Sequence, residues 1–283
     1  MAYAILNQNG KRTREDFNPK NVTFRPPRVL DHGGKIIGVS YKGQPLRLQT
    51  PEMALPYGVS VFEDPNGNNK YSVDFSFRGE EDNERLSRFH EQMREFQAVL
   101  IQAGIDNSMA WFKKKMSAEV ITEFFTPILK QSRDKETGEA DGKYPDTMKV
   151  KLDVRNGEFR CKAFSPDHTE IDEPLDSLLV KGTRATSIIL PSFLWFAGGK
   201  FGITIKGEQM RVKVPPRNDQ YGFVDDDEED ADDDVEAEEE GGAQFVDDEE
   251  EDEEEEEEEV EVPETKPAPK ARGGGRRRRK ADA

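Results

Sequence analysis

Between residues 225 and 262 the chain carries 27 Asp and Glu and not one Lys or Arg. Such a run has almost no apolar surface to set against the entropy of ordering, and its like charges repel, so it cannot fold alone. The folded part must therefore lie upstream. Residues 1–224 hold 33 basic and 30 acidic side chains, a net +3, and residues 263–283 hold 8 basic and 2 acidic, a net +6. The overall formal charge of −18 describes none of these segments. The composition shifts predict a flexible basic N-terminus over 1–20 (Lys11, Arg12, Arg14) and one folded domain over 21–216, closed by Pro215-Pro216. A disordered acidic tail over 217–262 and a disordered basic tip over 263–283 follow, the tip holding Arg276, Arg277, Arg278, Arg279 and Lys280.

Within the body the apolar period changes twice. Short strand-like runs at 22–30, 35–41, 46–50 and 59–63 are broken by Gly and Pro, and Pro26-Pro27 marks the first as an edge or bulged strand. Residues 64–69 read as a hairpin loop. Tyr71, Val73, Phe75 and Phe77 then alternate with polar residues, a half-buried strand whose aromatic side is core. Next, Leu86, Phe89, Met93, Phe96, Leu100 and Ala103 recur at steps of three and four, which predicts a helix capped near Asp82 or Asn83 and stopped at Gly104. Asp106 and Ser117 read as caps of two shorter helices and Pro127 as their limit, giving a helical insertion over 83–127 before a polar loop at 134–146. Strands then return. Asn156-Gly157 is a two-residue hairpin signal joining 148–154 to 159–164. A meander follows through 186–196, the turn Gly198-Gly199, 201–206, the turn Gly207-Glu208 and 209–214. Strands, helices, strands predict a mainly-β, α+β chain: a small barrel with inserted helices, of which the OB fold is the commonest, plus the acidic tail.

The chemistry of catalysis is not visible. There is no phosphate-binding loop ending in Gly-Lys-Ser/Thr. His32, His90 and His168 sit in unrelated contexts, and Cys161 is the single cysteine, so no cofactor or metal is expected and the chain reads as non-enzymatic. Asp64-Pro65-Asn66-Gly67 imitates the start of a calcium loop but lacks the later Gly and Glu. The N-terminus has no signal-peptide pattern and no apolar run approaches the roughly 20 residues of a membrane helix, so an intracellular protein with no membrane partner is expected.

The predicted hairpins carry the more informative pattern. Register from Asn156-Gly157 sets Val154 against Phe159, Leu152 against Cys161 and Val150 against Ala163 on a core face. The other face then pairs Asp153 with Arg160, Lys151 with Lys162 and Lys149 with Phe164, a set of cations and one aromatic suited to a nucleic-acid backbone and a stacked base. The bland alternative is a solvated edge with lysines that discourage aggregation. In the meander, Phe201, Ile203, Ile205, Met210, Val212 and Val214 share one face. Phe193, Trp195, Thr204, Lys206, Arg211 and Lys213 share the other, with Trp195 opposite Gly202. The alternative there is that Phe193 and Trp195 pack beneath the inserted helices. In the tail, Phe223-Val224-Asp225-Asp226 recurs as Phe245-Val246-Asp247-Asp248, two aromatic–aliphatic anchors for a protein partner.

The segment Pro45-Leu46-Arg47-Leu48-Gln49-Thr50-Pro51-Glu52-Met53, continued by Pro56-Tyr57-Gly58-Val59-Ser60, resembles a signature of single-stranded-DNA-binding proteins of large nucleocytoplasmic DNA viruses. That family is similar, distantly, to the acidic-tailed ssDNA-binding protein of short-tailed coliphages. The resemblance implies an OB-fold core and ssDNA binding by basic and aromatic residues, with Arg47 as a phosphate or base contact. It also implies a tail that contacts replication enzymes such as a polymerase or helicase-primase, in a host nucleus or a cytoplasmic replication factory. This chain departs from the phage pattern in ending on a basic tip. The expectation is thus a protein that coats ssDNA during replication or recombination without base specificity, restrained by its own tail, with self-association into a homo-oligomer allowed. An acidic-tailed histone chaperone and a virion structural protein are the rival expectations.

Overall fold

A computed structural model describes residues 2–8, 11–30, 33–63, 69–134 and 137–214. The tail motifs at Phe223, Val224, Phe245 and Val246, the acidic run and the basic tip lie outside the described residues. Alternation dominates what is described. In β1 (Tyr3–Gln8), β3 (Lys35–Tyr41), β4 (Leu48–Ala54) and β6 (Asn69–Ser76) every second residue tends to turn inward, while the described side chains of β2 (Lys11–Asp16) and β5 (Val59–Glu63) are largely exposed. Three helices follow: α1 (Glu84–Asp106), α2 (Ser108–Phe112) and α3 (Ala118–Phe124). The chain then returns to strands with β7 (Thr147–Leu152), β8 (Lys162–Phe164), β9 (Arg184–Ala197) and β10 (Lys200–Lys213).

Five of these strands close on themselves. β4 meets β6 at Ala54↔Ser76, β6 runs antiparallel to β7, β7 lies parallel to β10, β10 forms a long hairpin with β9, and β9 returns to β4. Taken in chain order the ring reads 1-2-3-5-4-1, with third and fifth strands parallel. That is the Greek-key barrel of the OB fold, here with α1, α2 and α3 inserted between the second and third strands. The fold is therefore mainly β with a few helices, as the periodicity predicts. Leu48, Met53, Val73, Phe75, Met148, Val150, Ile189, Leu194 and Met210 fill the interior, each fully buried.

α1 follows its apolar stripe: Leu86, Phe89, Met93, Phe96 and Leu100 are buried. Asn83 caps it, its side chain accepting from the amides of Arg85 and Leu86. The helix does not stop at Gly104 but continues to Asp106. A Cβ on Gly104 would meet Phe201 Cζ at 3.1 Å and Ile121 Cγ2 at 3.2 Å, so the glycine lets α1 approach β10 and α3 closely and is no terminator. Asn107, not Asp106, precedes α2, while Ser117 caps α3 as expected. His90, fully enclosed beneath Phe77, ties α1 to the loops on either side through Glu80 (2.5 Å) and Asp146 (2.9 Å).

Three further expectations are corrected. Within residues 1–20, expected to be a flexible arm, Tyr3–Gln8 and Lys11–Asp16 pair antiparallel and dock on β4 (Tyr3↔Gln49), because Ala2, Ala4, Leu6 and Phe17 are buried beneath them. Arg12 and Arg14, two of the basic residues that suggested an arm, are exposed there. The run 22–30 divides into Val22–Phe24 and Arg28–Val29 around Pro26-Pro27, both pieces pairing with β3. Gly207-Glu208 is a bulge within the continuous β10 and not a turn. A Cβ on Gly207 would meet Met210, Leu152 and Cys161 at 3.1–3.4 Å, so close packing explains this glycine.

Candidate nucleic-acid interface

The Asn156-Gly157 hairpin forms, with Asn156 at φ 54° and Gly157 at φ 82°, but its ladder is short. Val154 faces Phe159, Arg155 faces Glu158, and the Arg160 amide donates to the Asp153 carbonyl (2.8 Å), after which the two arms part. β7 goes to β6 and β10, whereas β8 lies parallel to the far half of β10, with Lys162↔Gln209 and Phe164↔Arg211. Lys151 and Lys162 are therefore not cross-strand partners. Lys162 pairs instead with Glu170 (2.7 Å), and Lys151 lies in register with Lys206. The expected like-charge pair exists with a different partner, because tertiary pairing to β6 and β10 offers each arm a longer ladder than the hairpin does.

In register, strand partners share a face, which assembles one continuous outer surface. Lys206, Lys151, Ser72 and Ser60 form one row across β10, β7, β6 and β5. One step along lie Phe193, Thr204, Lys149 and Asp74. A step further, Trp195 lies opposite Gly202, as the turn at Gly198-Gly199 predicts: a Cβ there would come within 2.6 Å of Trp195 Cζ2. The alternative placement of Phe193 and Trp195 beneath the helices is not what is found. The helix aromatics Trp111 and Phe112 pack on Phe196, the neighbour pointing the other way, while Phe193 and Trp195 stay half-exposed on the outer side. Lys206 Nζ lies 5.9 Å from the Phe193 ring and 2.9 Å from Asp153.

The sequence reading missed half of this surface. Phe62 is 48% exposed at the end of β5, in register with Lys70, whose Nζ is 6.0 Å from its ring. Tyr57 and Tyr144 are 51% and 48% exposed, and Lys143 lies 5.3 Å from the Tyr144 ring. Partial burial, then the Asp74 carboxylate and Tyr144 nearby, raise the Tyr57 phenol above its ordinary value, so it remains a neutral donor. Gly58, at φ +76° against the backbone of Leu179, sets the turn that presents Tyr57. A loop at 64–69 would set Glu63 against Lys70 and Phe62 against Tyr71, whereas Glu63 faces Asn69 and Phe62 faces Lys70; residues 64–68 lie outside the described residues. Tyr57 and Tyr144 were not legible either, since each enters from a loop with no periodicity.

The remaining sequence candidates lie elsewhere. Arg211, Lys213, Arg160, Lys162 and Phe164 cluster around the far half of β10, which continues to Lys213, eleven residues and roughly 36 Å of strand beyond Gly202. Several are occupied: Arg47 Nε contacts both oxygens of Glu208 (2.8 and 3.0 Å), and Lys213 contacts Glu52 (2.6 Å). Lys149 and Lys151 carry no ion pair among the described residues. Cys161 is buried, and burial, then Glu208 and Asp153, push its thiol up to about 12. Among the described residues there is no group of His, Cys, Asp and Glu able to hold a metal. No helix among them is long and apolar enough to cross a membrane.

Fold and surface together define a class: an OB-type barrel whose outer face interleaves aromatics with lysines. No family model matches the chain, and no curated protein matches it. Solved structures resemble it at low identity. The single-stranded DNA-binding protein of bacteriophage Enc34, in complex with ssDNA, aligns at 12% identity and a TM-score of 0.40, over 69% of this chain and 97% of that one. Gp2.5, a single-stranded DNA-binding protein of bacteriophage T7, aligns at 13% identity and a TM-score of 0.35, over 64% and 91%.

Proposed function

We propose that this chain binds single-stranded DNA along the outer barrel face, without base specificity and without catalysis. The observation that supports the reading most is the shared outer face that carries Phe62 on β5, Lys151 and Lys149 on β7, and Phe193 and Trp195 on β9 in adjacent rows. It spans five strands, roughly 19 Å at strand spacing, in the position where OB barrels take oligonucleotides. Three aromatic rings there each have a lysine within 6.0 Å: Phe62 with Lys70, Tyr144 with Lys143, Phe193 with Lys206. Rings accept any base by stacking while ammonium groups follow the phosphates, which gives affinity without sequence readout. Of the sequence candidates, Lys149, Lys151, Lys206 and Trp195 belong to this face. Arg47, Arg160, Lys162, Phe164, Arg211 and Lys213 are assigned to a distal surface that a longer strand would reach.

The rest of the role is proposed on the sequence. The acidic tail restrains the basic face as a tethered competitor, and its Phe223-Val224 and Phe245-Val246 anchors recruit replication enzymes. The signature around Arg47 supports a setting in viral DNA replication or recombination. The direct test is electrophoretic retardation of labelled mixed-sequence oligonucleotides, set beside a histone pull-down. Retardation that is similar for different sequences and weakens with salt is expected. Histone capture without retardation would sink the reading in favour of a chaperone. Lys149→Gln with Lys151→Gln should reduce the slope of log affinity against log salt by about 1.4, at roughly 0.7 per lost phosphate contact.

A further inference from the structure

The outer face does not end at Trp195. Its partner on β3 is Ile36, and Ile36 is partnered in turn by Arg28, so Arg28, Ile36, Trp195 and Gly202 form one row. The adjacent row continues from Thr204 and Phe193 to Gly38, over whose bare backbone the Arg25 side chain lies: a Cβ on Gly38 would meet Arg25 Cδ at 3.1 Å. Arg28–Val29 is the outermost strand there, and Val29 is 63% exposed. Around that edge, Lys35 sits over Phe196 (4.5 Å) and Phe112 (6.0 Å), immediately before Lys113, Lys114 and Lys115, all three exposed.

These six cations differ from three of the distal surface. Arg47, Lys162 and Lys213 are each held by a carboxylate. Arg25, Arg28, Lys35, Lys113, Lys114 and Lys115 have no ion pair among the described residues. The crowding costs something: burial, then the charge of Lys113, lowers the Lys35 ammonium below its ordinary value. A folded chain that keeps like charges together, unneutralised and beside exposed apolar side chains, has a surface complementary to a polyanion.

We propose that the DNA strand leaves the barrel face at Trp195, crosses the sheet edge over Arg28 and Arg25, and continues onto Lys35 and the lysine triplet after α2. The inference rests on the ssDNA reading above and names the strand's route within it. The carrier is electrostatic: the barrel face stacks bases, and the edge and triplet hold phosphates. A single-stranded polyanion suits the bend because it is flexible enough to turn over an edge strand.

Two full-length variants test the route, Arg25→Gln with Arg28→Gln, and Lys113→Gln with Lys114→Gln and Lys115→Gln. Every changed side chain is exposed, so folding should persist and circular dichroism checks it. Affinity for an oligonucleotide of about 16 nucleotides, near the upper range for one OB barrel, is measured across salt by retardation and by quenching of Trp195. The triplet variant should lose on the order of tenfold at low salt, with a salt slope smaller by about 2. At saturation its quenching should equal that of the unaltered chain, because the barrel face is still occupied. Unchanged affinity and slope in both variants overturn the route while leaving ssDNA binding intact. An unaltered chain that fails to bind the oligonucleotide overturns the ssDNA reading itself, and the route with it.

Discussion

Trp195 is held on the bare backbone of Gly202, half-exposed, with Thr126 Cβ close to the same spot. A base stacked on it should quench its fluorescence, while Trp111, only 3% exposed, supplies a constant background. Trp195→Ala should cost about 1–3 kcal/mol of binding, the usual value of one base–aromatic stack. Gly202→Ala tests the same contact from below. The new methyl would fall within 2.6 Å of the indole and must displace it, so binding should weaken although the ring remains. Full affinity in both variants would mean that no base stacks there. Cys161 illustrates the opposite kind of residue. It is 3% exposed with its thiol pushed up to about 12 by burial, so the reactive thiolate is scarce at neutral pH. Alkylation by iodoacetamide should be slow in the native protein and rapid in denaturant. Rapid native labelling would show that the β8–β10 pairing opens readily.

At the scale of elements, stability depends on how α1 and the barrel strands are clamped. Gly104 lets α1 contact Phe201 and Ile121, both fully buried, and neither neighbour has room to yield. Gly104→Val should destabilise by about 1–3 kcal/mol through overpacking, despite removing a helix-interior glycine, as chemical denaturation would measure. Glu52 on β4 joins Arg184 on β9 (3.0 Å) and Lys213 on β10 (2.6 Å), and the Lys213 contact, then the Arg184 contact, lower its carboxyl below the ordinary 4.5. A lowered carboxylate stabilises above its unfolded value, and that contribution is lost as pH falls through the folded value. Both cations are about half exposed, so solvent screening keeps the gain to roughly 1 kcal/mol or less. Glu52→Gln should therefore lower stability slightly at pH 7 and leave it unchanged well below pH 4.5. A difference that persists undiminished in acid would point to packing instead.

For the whole molecule, charge separation is the governing feature. A body of net +3 is joined to residues 225–262, which carry −27. A tethered polyanion competes at high effective concentration, and salt screens exposed charges beyond about 10 Å at 0.1 M. Removing residues 223–283 should tighten ssDNA binding at low salt, with the gain shrinking as salt rises, and should abolish capture of replication enzymes. Equal affinity of body and full chain at low salt would remove the masking idea. Ending the chain after Val262 separates the effect of the acidic run from that of the basic tip.

The order strands–helices–strands, the core sides of β6 and β10, the α1 stripe and the Trp195–Gly202 contact could all be read from the sequence. Each depends on periodicity or on a tight turn, and both are local properties of the backbone. The barrel closure, the parting of the hairpin arms at Leu152 and the docking of residues 3–16 on β4 could not. They are decided by which strands offer the longest ladders and the most buried area, and those partners lie tens of residues away. The binding face divides along the same line. Phe193 with Lys206 is reachable by counting from the turn at Gly198-Gly199, whereas Phe62 with Lys70 is one residue off the register that a loop at 64–69 implies. By contrast, Tyr57 beside Tyr144, Arg25 over Gly38, and Lys35 beside Lys113 come together only when distant loops and strands are packed on one barrel. Local chemistry settles which way a side chain points along its own strand, and only the closed sheet settles what it points beside.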